Sequence, residues 1–355
     1  MDAAWDTTTQ EVHGGQTWSA CPNFVCDFSV TTNAFGPPAA ALAAATKALS
    51  TMHHYPPADN AAALAALSAF TRWPQEQLLL GNGASEFIDL VMRALPEGPF
   101  KPGPYIAAYK EYHRAARAAG RDVLAHDDTT TDPAVTVIIH PNSPTGDCMS
   151  LQDLDALVSS TKGVVVVDES FMPFRGATWR DESALCLLPQ HPERLIVLAS
   201  WTKIWSCPGI RIGSIASSPE WTRTFKKLQT PWSVNVSAQA FTVAACKDDA
   251  YMRQTWDSLP KWKLETQERI RGLGWKVNET SPSWVPWVFV HVGDRKVAAK
   301  AVEVAMKVGC PIRPCASFGL PEYIRLGVRR PEHQAVLFKA WKAELKLGAA
   351  NGCSA

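Results

Sequence analysis

The chain has 355 residues, 46% of them hydrophobic, which is enough for a large domain with a buried core and a smaller second domain. The formal net charge of +1, without long runs of one sign, gives no reason to expect nucleic-acid or membrane-surface binding, so we expect a small-molecule ligand. Nine scattered cysteines without paired CxxC spacing indicate reduced thiols and a cytoplasmic protein. No run approaches the about 20 apolar residues of a membrane helix, and the acidic start at residues 1–6 does not fit a secretory signal.

Alanine-rich segments near the N-terminus predict helices over residues 39–49 and 61–70. Residues 81–86, a Gly-x-Gly pattern followed by Ala-Ser-Glu, open a further predicted helix that continues through residues 87–95. Backbone amides at the start of such a helix can hold a phosphate. The pattern alone more often marks a turn, so this phosphate site needs support from elsewhere in the chain.

The middle of the chain alternates short β-rich runs with longer helical stretches, which predicts an α/β fold with a parallel sheet covered on both faces. A helix over residues 151–159, with Ser150 as its N-cap and Asp153 three residues later, separates the first two strands. The predicted strands are Val135–Ile139, 164–167, 195–199 and Ile212–Ala216.

Polar residues follow three of these predicted strands, at residues 140–146, 168–171 and 200–203. Ligands of such sheets bind beyond the carboxyl ends of the strands. The strands were placed by their apolar pattern and not by these polar residues. That polar residues nevertheless follow three of the strands predicts a ligand site at the carboxyl ends.

The pattern changes after residue 240 to a long helical region and then a shorter α+β segment, with predicted strands at 285–292 and 323–328. We interpret residues 45–245 as the large ligand-binding domain. Residues 1–44 and 246–355 then form an N-terminal arm and a small C-terminal domain.

One lysine, Lys203, lies between small hydroxyl residues and eight residues before Arg211. This arrangement suits a covalent bond between the lysine amine and a phosphorylated aldehyde, with Ser200, Thr202 and the guanidinium of Arg211 on the phosphate. Pyridoxal phosphate is such an aldehyde. An isolated Ser-x-Thr-Lys is more often a surface turn, so the neighbouring residues must decide between a surface lysine and a cofactor-binding lysine.

A Pro-Gly pair and an Arg-x-Gly tripeptide follow Lys203 at fixed offsets, and this string resembles the lysine motif of the fold-type I pyridoxal-phosphate enzymes. The resemblance implies a large domain with a mostly parallel sheet between helices plus a smaller α+β domain. It also implies that Lys203 forms the Schiff base and that Asp168, at the mouth of a buried strand, pairs with the pyridinium nitrogen. Without the lysine, Asp168 would read as a helix cap or an ion-pair partner.

The resemblance also assigns contacts around the cofactor ring. Tyr109, rather than Tyr112, fits the spacing of the aromatic residue that stacks on the ring, although core packing explains either tyrosine equally well. Two positions depart from the commoner pattern, since Ser143 replaces an asparagine and Phe171 replaces a tyrosine, and Asn142 is the alternative amide donor. The cofactor residues implied are Gly83, Ala84, Ser85, Tyr109, Asn142, Ser143, Asp168, Phe171, Ser200, Thr202, Lys203, Arg211 and Tyr55.

The segment around Tyr55 resembles one that reaches across a subunit interface in relatives, which implies a homodimer with a shared active site. An arginine in the last strands of such enzymes pairs with the substrate carboxylate, and here Arg325 is the first choice and Arg313 the second. A solvated strand-edge arginine is the alternative for either residue. The resemblance further implies substrate contacts from His13, Gly14 and Asn33.

Within this class the chain resembles the threonine-phosphate decarboxylases, which are themselves close to the histidinol-phosphate aminotransferases. The His-Gly-Gly arm, Phe171 and Thr202 favour the decarboxylase branch, whereas Gln16, Thr31 and Ala34 depart from it. We therefore expect decarboxylation of a small or phosphorylated amino acid first, transamination second and an inactive cofactor-binding regulator third. The motifs that carry the resemblance are at residues 13–15, 27–29, 36–38, 54–56, 81–86, 168–171, 202–203 and 208–209.

Overall fold

The computed structural model describes residues 13–345, and contacts between Cα atoms divide them into two compact units. The large unit comprises Phe35–Ser143 and Cys148–Trp256. The small unit comprises, among the described residues, 13–34, 144–147 and 257–345. The predicted domain boundaries at 45 and 245 differ from this division and stay a prediction. The acidic start at residues 1–6 and Cys353 lie outside the described residues.

The helices and strands follow one another along the chain as listed here. The α-helices are α1 (Ala39–Ala48), α2 (Ala61–Thr71), α3 (Ala84–Ala94), α4 (Glu111–Ala118), α5 (Leu151–Ser160), α6 (Trp201–Ile204), α7 (Pro219–Leu228), α8 (Val236–Ala245), α9 (Asp249–Arg271), α10 (Arg295–Lys307) and α11 (Pro331–Glu344). The β-strands are β1 (Leu78–Asn82), β2 (Phe100–Lys101), β3 (Val135–Ile139), β4 (Val164–Asp168), β5 (Leu195–Ser200), β6 (Ile212–Ala216), β7 (Lys276–Val277), β8 (Trp287–His291), β9 (Arg313–Pro314) and β10 (Tyr323–Gly327).

The sheet of the large unit has the strand order β1-β6-β5-β4-β3-β2. The strands from β2 to β5 are parallel to one another, which confirms the expected mostly parallel sheet. β6 pairs with β5 in the antiparallel sense, and β1 pairs with β6 in the same sense. The sequence pattern located β6 but not its direction, and it missed β1, because Leu-Leu-Leu-Gly-Asn runs directly into the glycine turn before α3.

The two faces of this sheet carry separate hydrophobic clusters, because successive side chains of a strand point to opposite faces. Val164 and Val166 of β4 pack in one cluster with residues of α3 and α4. Val165 and Val167 pack in the other cluster with residues of α5. All of β4 is buried, as expected for a parallel strand covered on both sides.

Helix α5 begins as the sequence predicted. The Ser150 side chain accepts a hydrogen bond from the backbone N–H of Asp153, and the helix ends at Ser160, one residue beyond the prediction. Thr161 then continues in an extended conformation into β4. This β3-α5-β4 unit delivers Asp168 to the same end of the sheet as Ile139.

The small unit contains an antiparallel sheet of order β7-β8-β10-β9. Arg325 of β10 lies opposite Phe289 of β8 and Arg313 of β9, so the three residues share one face. Ile324 and Leu326 occupy the other face and are fully buried, and α10 contacts β10. None of the helices within residues 13–345 is long and apolar enough to cross a membrane, and none of the cysteines in that range is in a disulfide.

Candidate active site

The three polar segments predicted from the sequence meet at one edge of the large-unit sheet, which we call the carboxyl edge. The register pairs Ile139 of β3 with Asp168 of β4, and Asp168 with Leu198 of β5. Because these strands are parallel, the residues that follow each of them emerge side by side. Asp168 and the turn that carries Lys203 therefore belong to one site.

Asp168 is buried and hydrogen-bonded on both carboxylate oxygens. The Tyr112 hydroxyl donates to Oδ2 at 2.8 Å, and Ser170 donates to Oδ1 from its hydroxyl at 2.5 Å and from its backbone N–H at 3.0 Å. Burial raises the pKa of Asp168, and the hydrogen bonds from Ser170 and Tyr112 and the charge of Lys203 oppose that rise. This environment supports a carboxylate that faces a cation.

Lys203 lies on α6, a single helical turn that follows β5 directly. Ser200 ends β5, and its backbone N–H donates to the Ser170 hydroxyl at 2.9 Å. The indole N–H of Trp201 donates to the Ser214 hydroxyl of β6 at 2.9 Å, so the turn is tied to the neighbouring strand as well. The hydroxyls of Ser200 and Thr202 are 2.7 Å apart and buried.

The start of β6 lies beside the start of α3, and together they form a possible anion-binding site that we call the anion cup. Arg211 Nη2 donates to the Ser85 hydroxyl at 3.3 Å. Gly83 has φ +73°, and a Cβ added there would lie 2.4 Å from Arg211 Nη2. A Cβ on Gly213 would lie 2.3 Å from the backbone nitrogen of Ala84. The two glycines therefore leave room for the guanidinium and the amides of α3 to approach one ligand, and a phosphate fits this donor set.

The residues predicted around the cofactor ring are placed near the same edge. Asn142 Nδ2 donates to the backbone carbonyl of Ala107 at 2.9 Å, so part of this amide holds the loop before α4. Ser143 and Phe171 are both buried. Tyr109 is half-buried and packs edge-on against Tyr112, with ring centroids 6.4 Å apart. Its predicted stacking on a ligand ring stays a prediction.

Sequence reasoning missed two members of this site. Tyr112 was set aside in favour of Tyr109, yet its hydroxyl contacts Asp168 directly. Ser170 was quoted only as part of the Asp-Glu-Ser-Phe string, although its hydroxyl joins Asp168 to Ser200. The available signal was a hydroxyl residue two positions after a buried aspartate, a common spacing for local side-chain hydrogen bonds.

Tyr55, predicted to act across a subunit interface, is 80% exposed. Its ring packs against Trp232, with centroids 4.7 Å apart, and Trp232 is itself 48% exposed. Met52, three residues before Tyr55 in the chain, is 72% exposed as well. The large unit therefore carries an exposed aromatic pair at Tyr55 and Trp232.

The two candidate substrate arginines lie side by side in the small unit and are both buried. Arg325 Nη2 donates to the backbone carbonyl of Ser29 at 3.0 Å. Arg313 Nη2 donates to the Ser317 hydroxyl at 2.7 Å, and its guanidinium lies over the ring of Phe318. Burial of both guanidinium groups contradicts the solvated-edge alternative.

The arm residues His13 and Gly14 and the buried Asn33 belong to the same unit. The Ser29 hydroxyl donates to Asp27 Oδ1 at 2.6 Å and accepts from the backbone N–H of Gly15 at 2.8 Å. A Cβ on Gly14 would lie 2.4 Å from the Ser29 carbonyl oxygen. Ser29 thus contacts both the arm and Arg325.

The chain is similar to several known proteins in sequence and in fold. Histidinol-phosphate aminotransferase 1 of Cupriavidus pinatubonensis is 29% identical over 335 residues, covering 88% of this chain and 86% of the relative. The structure of histidinol-phosphate aminotransferase from Sinorhizobium meliloti in complex with pyridoxal-5'-phosphate superposes with a TM-score of 0.84 at 17% identity, covering 98% of both chains. L-threonine-O-3-phosphate decarboxylase from Porphyromonas gingivalis gives a TM-score of 0.79 at 19% identity, covering 91% of this chain and 100% of that one.

These superpositions confirm the fold expected from the lysine motif. The model of the family described as aminotransferase class I and II matches residues 25–337, which is most of the chain. This chain therefore belongs to the class I and II aminotransferase family.

Proposed function

We propose that this protein is a pyridoxal-phosphate-dependent aminotransferase that acts on a phosphorylated amino compound, as histidinol-phosphate aminotransferases do. The observation that carries the proposal is that Lys203, the buried Asp168 and the cup around Arg211 share the carboxyl edge of one sheet. The names of the curated relatives, such as that from Cupriavidus pinatubonensis, support transamination over other reactions of the family.

The residues present fit pyridoxal phosphate. Asp168 is a buried carboxylate whose hydrogen bonds favour the ionised form, as a partner for a pyridinium N–H requires. A Cβ on Gly83 would collide with Arg211 and one on Gly213 with the backbone nitrogen of Ala84, so the two glycines let these donors lie close together. When bound, the cofactor supplies an aldehyde for the lysine amine and a ring that accepts electrons from the substrate's α-carbon.

The protein's own groups then have distinct tasks. Asp168 keeps the positive charge on the ring nitrogen, which maintains the ring's capacity to accept electrons. Lys203 holds the cofactor and then moves the proton at the substrate's α-carbon as a general base. Arg325 would bind the substrate carboxylate through two N–H groups, as the sequence resemblance implies.

Decarboxylation, the reaction expected first from the sequence, is the second candidate. Phe171 follows Asp-Glu as in the decarboxylase branch, and its buried ring offers no hydroxyl to the cofactor. In this reaction CO2 would leave the α-carbon in place of the proton, and the residues that hold the substrate carboxylate would decide between the two outcomes. The resemblance to the Porphyromonas gingivalis decarboxylase lies below 25% identity and supports the fold alone.

We further propose that the enzyme is a cytoplasmic homodimer. The exposed aromatic pair of Tyr55 and Trp232 supports the dimer, since a second copy would bury it. Tyr55 would then approach the partner's cofactor phosphate, as the sequence resemblance implies.

The test is incubation of the purified, cofactor-loaded protein with histidinol phosphate, O-phosphothreonine and a panel of common amino acids. One set of reactions contains 2-oxoglutarate and is assayed for glutamate, and a parallel set is assayed for CO2. Glutamate without CO2 is the expected result. CO2 without glutamate would assign the decarboxylase reaction, and a Lys203→Ala variant serves as the inactive control in both sets.

A further inference from the structure

We propose that Ser170 is a positioning residue that couples the carboxylate of Asp168 to the helical turn carrying Lys203. This inference rests on the proposed function, because it assumes that Asp168 and Lys203 act on the same cofactor. It concerns a hydroxyl that acts through its two hydrogen-bond partners, Asp168 and the Ser200 N–H.

The coupling is a continuous pair of hydrogen bonds through one oxygen atom. Ser170 Oγ donates to Asp168 Oδ1 at 2.5 Å and accepts from the Ser200 N–H at 2.9 Å. A serine hydroxyl has one hydrogen and two lone pairs, so it can make both bonds at once. Lys203 follows Ser200 by three residues, within the single turn of α6.

The three residues joined by these hydrogen bonds are shielded from water. Asp168 is 5% exposed, Ser170 is 6% exposed and Ser200 is 9% exposed. If the hydroxyl were removed, water could not readily replace it. The Ser200 N–H would lose its acceptor, and Asp168 Oδ1 would keep only the backbone N–H of Ser170 as a donor from that residue.

The charged and titratable groups that face Asp168 come from three directions. Tyr112 approaches from α4, Lys203 from α6, and Glu169 is the next residue of the chain. Among the hydrogen-bonding partners, the Ser170 side chain opposes the burial-raised pKa of Asp168 most strongly. Removal of its hydroxyl should therefore raise that pKa further.

The Ser170→Ala variant should show two linked defects. Activity requires ionised Asp168, so a higher pKa moves the acid limb of the pH–kcat profile to higher pH. The loosened Ser200 lets α6 shift and misplaces the Lys203 amine, so kcat should fall about tenfold or more while KM changes less.

A matched control variant lacks a serine hydroxyl that donates to the neighbouring carboxylate, Glu169, and not to Asp168. The Ser183 hydroxyl donates to Glu169, and Ser183 is fully buried. Ser183→Ala therefore also costs a buried hydrogen bond to an acid, but it leaves Asp168 and Ser200 untouched. Ser170→Thr keeps the hydroxyl and tests whether activity is restored.

The experiment records the visible absorbance of the bound cofactor against pH for the wild type and the three variants, together with kcat and KM on the substrate found by the panel. We expect a displaced absorbance titration and a lower kcat in Ser170→Ala, recovery towards wild type in Ser170→Thr, and a wild-type titration in Ser183→Ala. Identical titrations in Ser170→Ala and Ser183→Ala would overturn the inference and leave the proposed function standing. A wild-type protein that binds no cofactor would overturn both.

Discussion

Tyr112 donates a hydrogen bond of 2.8 Å to Oδ2 of Asp168, although 56 residues separate them in the chain. The tyrosine is only 1% exposed and packs in the core between the sheet and α3. Because both partners are removed from water, the hydrogen bond carries its full electrostatic effect on the carboxylate. The buried anion of the candidate site therefore depends on a residue of the core.

Replacement of Tyr112 by Phe removes this donor and changes little else in the packing. Since the hydrogen bond lowers the pKa of Asp168, its loss should raise that pKa and move the acid limb of the kcat profile to higher pH. We expect kcat at neutral pH to fall about tenfold, the scale of one lost hydrogen bond to a charged group. Steady-state kinetics from pH 5 to pH 9, roughly the range in which such limbs appear, measure both effects.

Tyr251 provides the control for this variant. Its hydroxyl lies 2.8 Å from the carbonyl oxygen of Gly36 and 3.0 Å from that of Ile204, so its one hydrogen is shared between two backbone acceptors and does not reach a carboxylate. Tyr251→Phe should lower the free energy of unfolding by about 1 kcal/mol and leave the acid limb in place. Equal shifts of the acid limb in both variants would contradict the role assigned to Tyr112.

Gly83→Ala should weaken cofactor binding through Arg211. The new Cβ would lie 2.4 Å from Arg211 Nη2, so the guanidinium must move out of the anion cup. Loss of one charge-assisted contact to a phosphate predicts at least about a tenfold rise in the cofactor Kd. Quenching of tryptophan fluorescence on titration of the apoprotein measures the Kd.

Gly120→Ala separates this effect from backbone strain. Gly120 has the same φ of +73° as Gly83, but nothing lies within 4 Å of an added Cβ. Both variants should lose stability because both φ values are positive, and Gly83→Ala should lose more, about 1–3 kcal/mol, because its ψ of 169° lies in a region that essentially only glycine occupies. Only Gly83→Ala should change the cofactor Kd, and a comparable change in Gly120→Ala would refute the steric explanation.

The parts of the site that could be predicted from sequence are those that follow strands directly. Asp168 and Lys203 were placed correctly at one edge because apolar runs locate β4 and β5, and parallel strands end together. The partners of Asp168 could not be predicted equally well. Tyr112 reaches it only through the packing of α4 on the sheet, and an apolar pattern does not show which of two nearby tyrosines points inward.

The apolar pattern of the sequence also could not show the direction in which β6 runs. β6 reads as a buried strand whether it is parallel or antiparallel, and only its pairing with β1 and β5 reveals the sense. That sense matters, because the antiparallel β6 begins at Ile212, directly after Arg211, and so delivers the guanidinium to the carboxyl edge. The sequence resemblance gave the arginine its role without explaining this placement.

Lys263 should make the stability of the protein depend on pH. It is 1% exposed, donates to the Ser281 hydroxyl and the Pro282 carbonyl, and burial lowers its pKa to about 7. The unfolded chain, with a lysine pKa near 10.4, therefore binds more protons than the folded one between about pH 7 and 10. Stability should rise with pH across that window, by at most roughly 1.4 kcal/mol per pH unit from this group.

Urea unfolding at several pH values tests this contribution. Lys263→Met removes the titrating amine and should flatten the rise between about pH 7 and 10. Lys261→Met, at an exposed position of the same helix, should leave the rise as in the wild type. A rise that persists unchanged in Lys263→Met would assign it to other groups.

Arg329→Lys should destabilise the segment that carries Ser29. Arg329 is 4% exposed, and a lysine cannot reproduce the planar fork that reaches several carbonyls at once, so we expect a loss of about 3 kcal/mol or more in urea unfolding. The control Arg330→Lys, at the half-buried neighbouring residue, should lower the free energy of unfolding by about 1 kcal/mol or less. Equal losses in the two variants would argue against a special role of the planar Arg329 guanidinium. The acceptors of Arg329 are the carbonyls of Asp27, Val30, Thr32 and Val328.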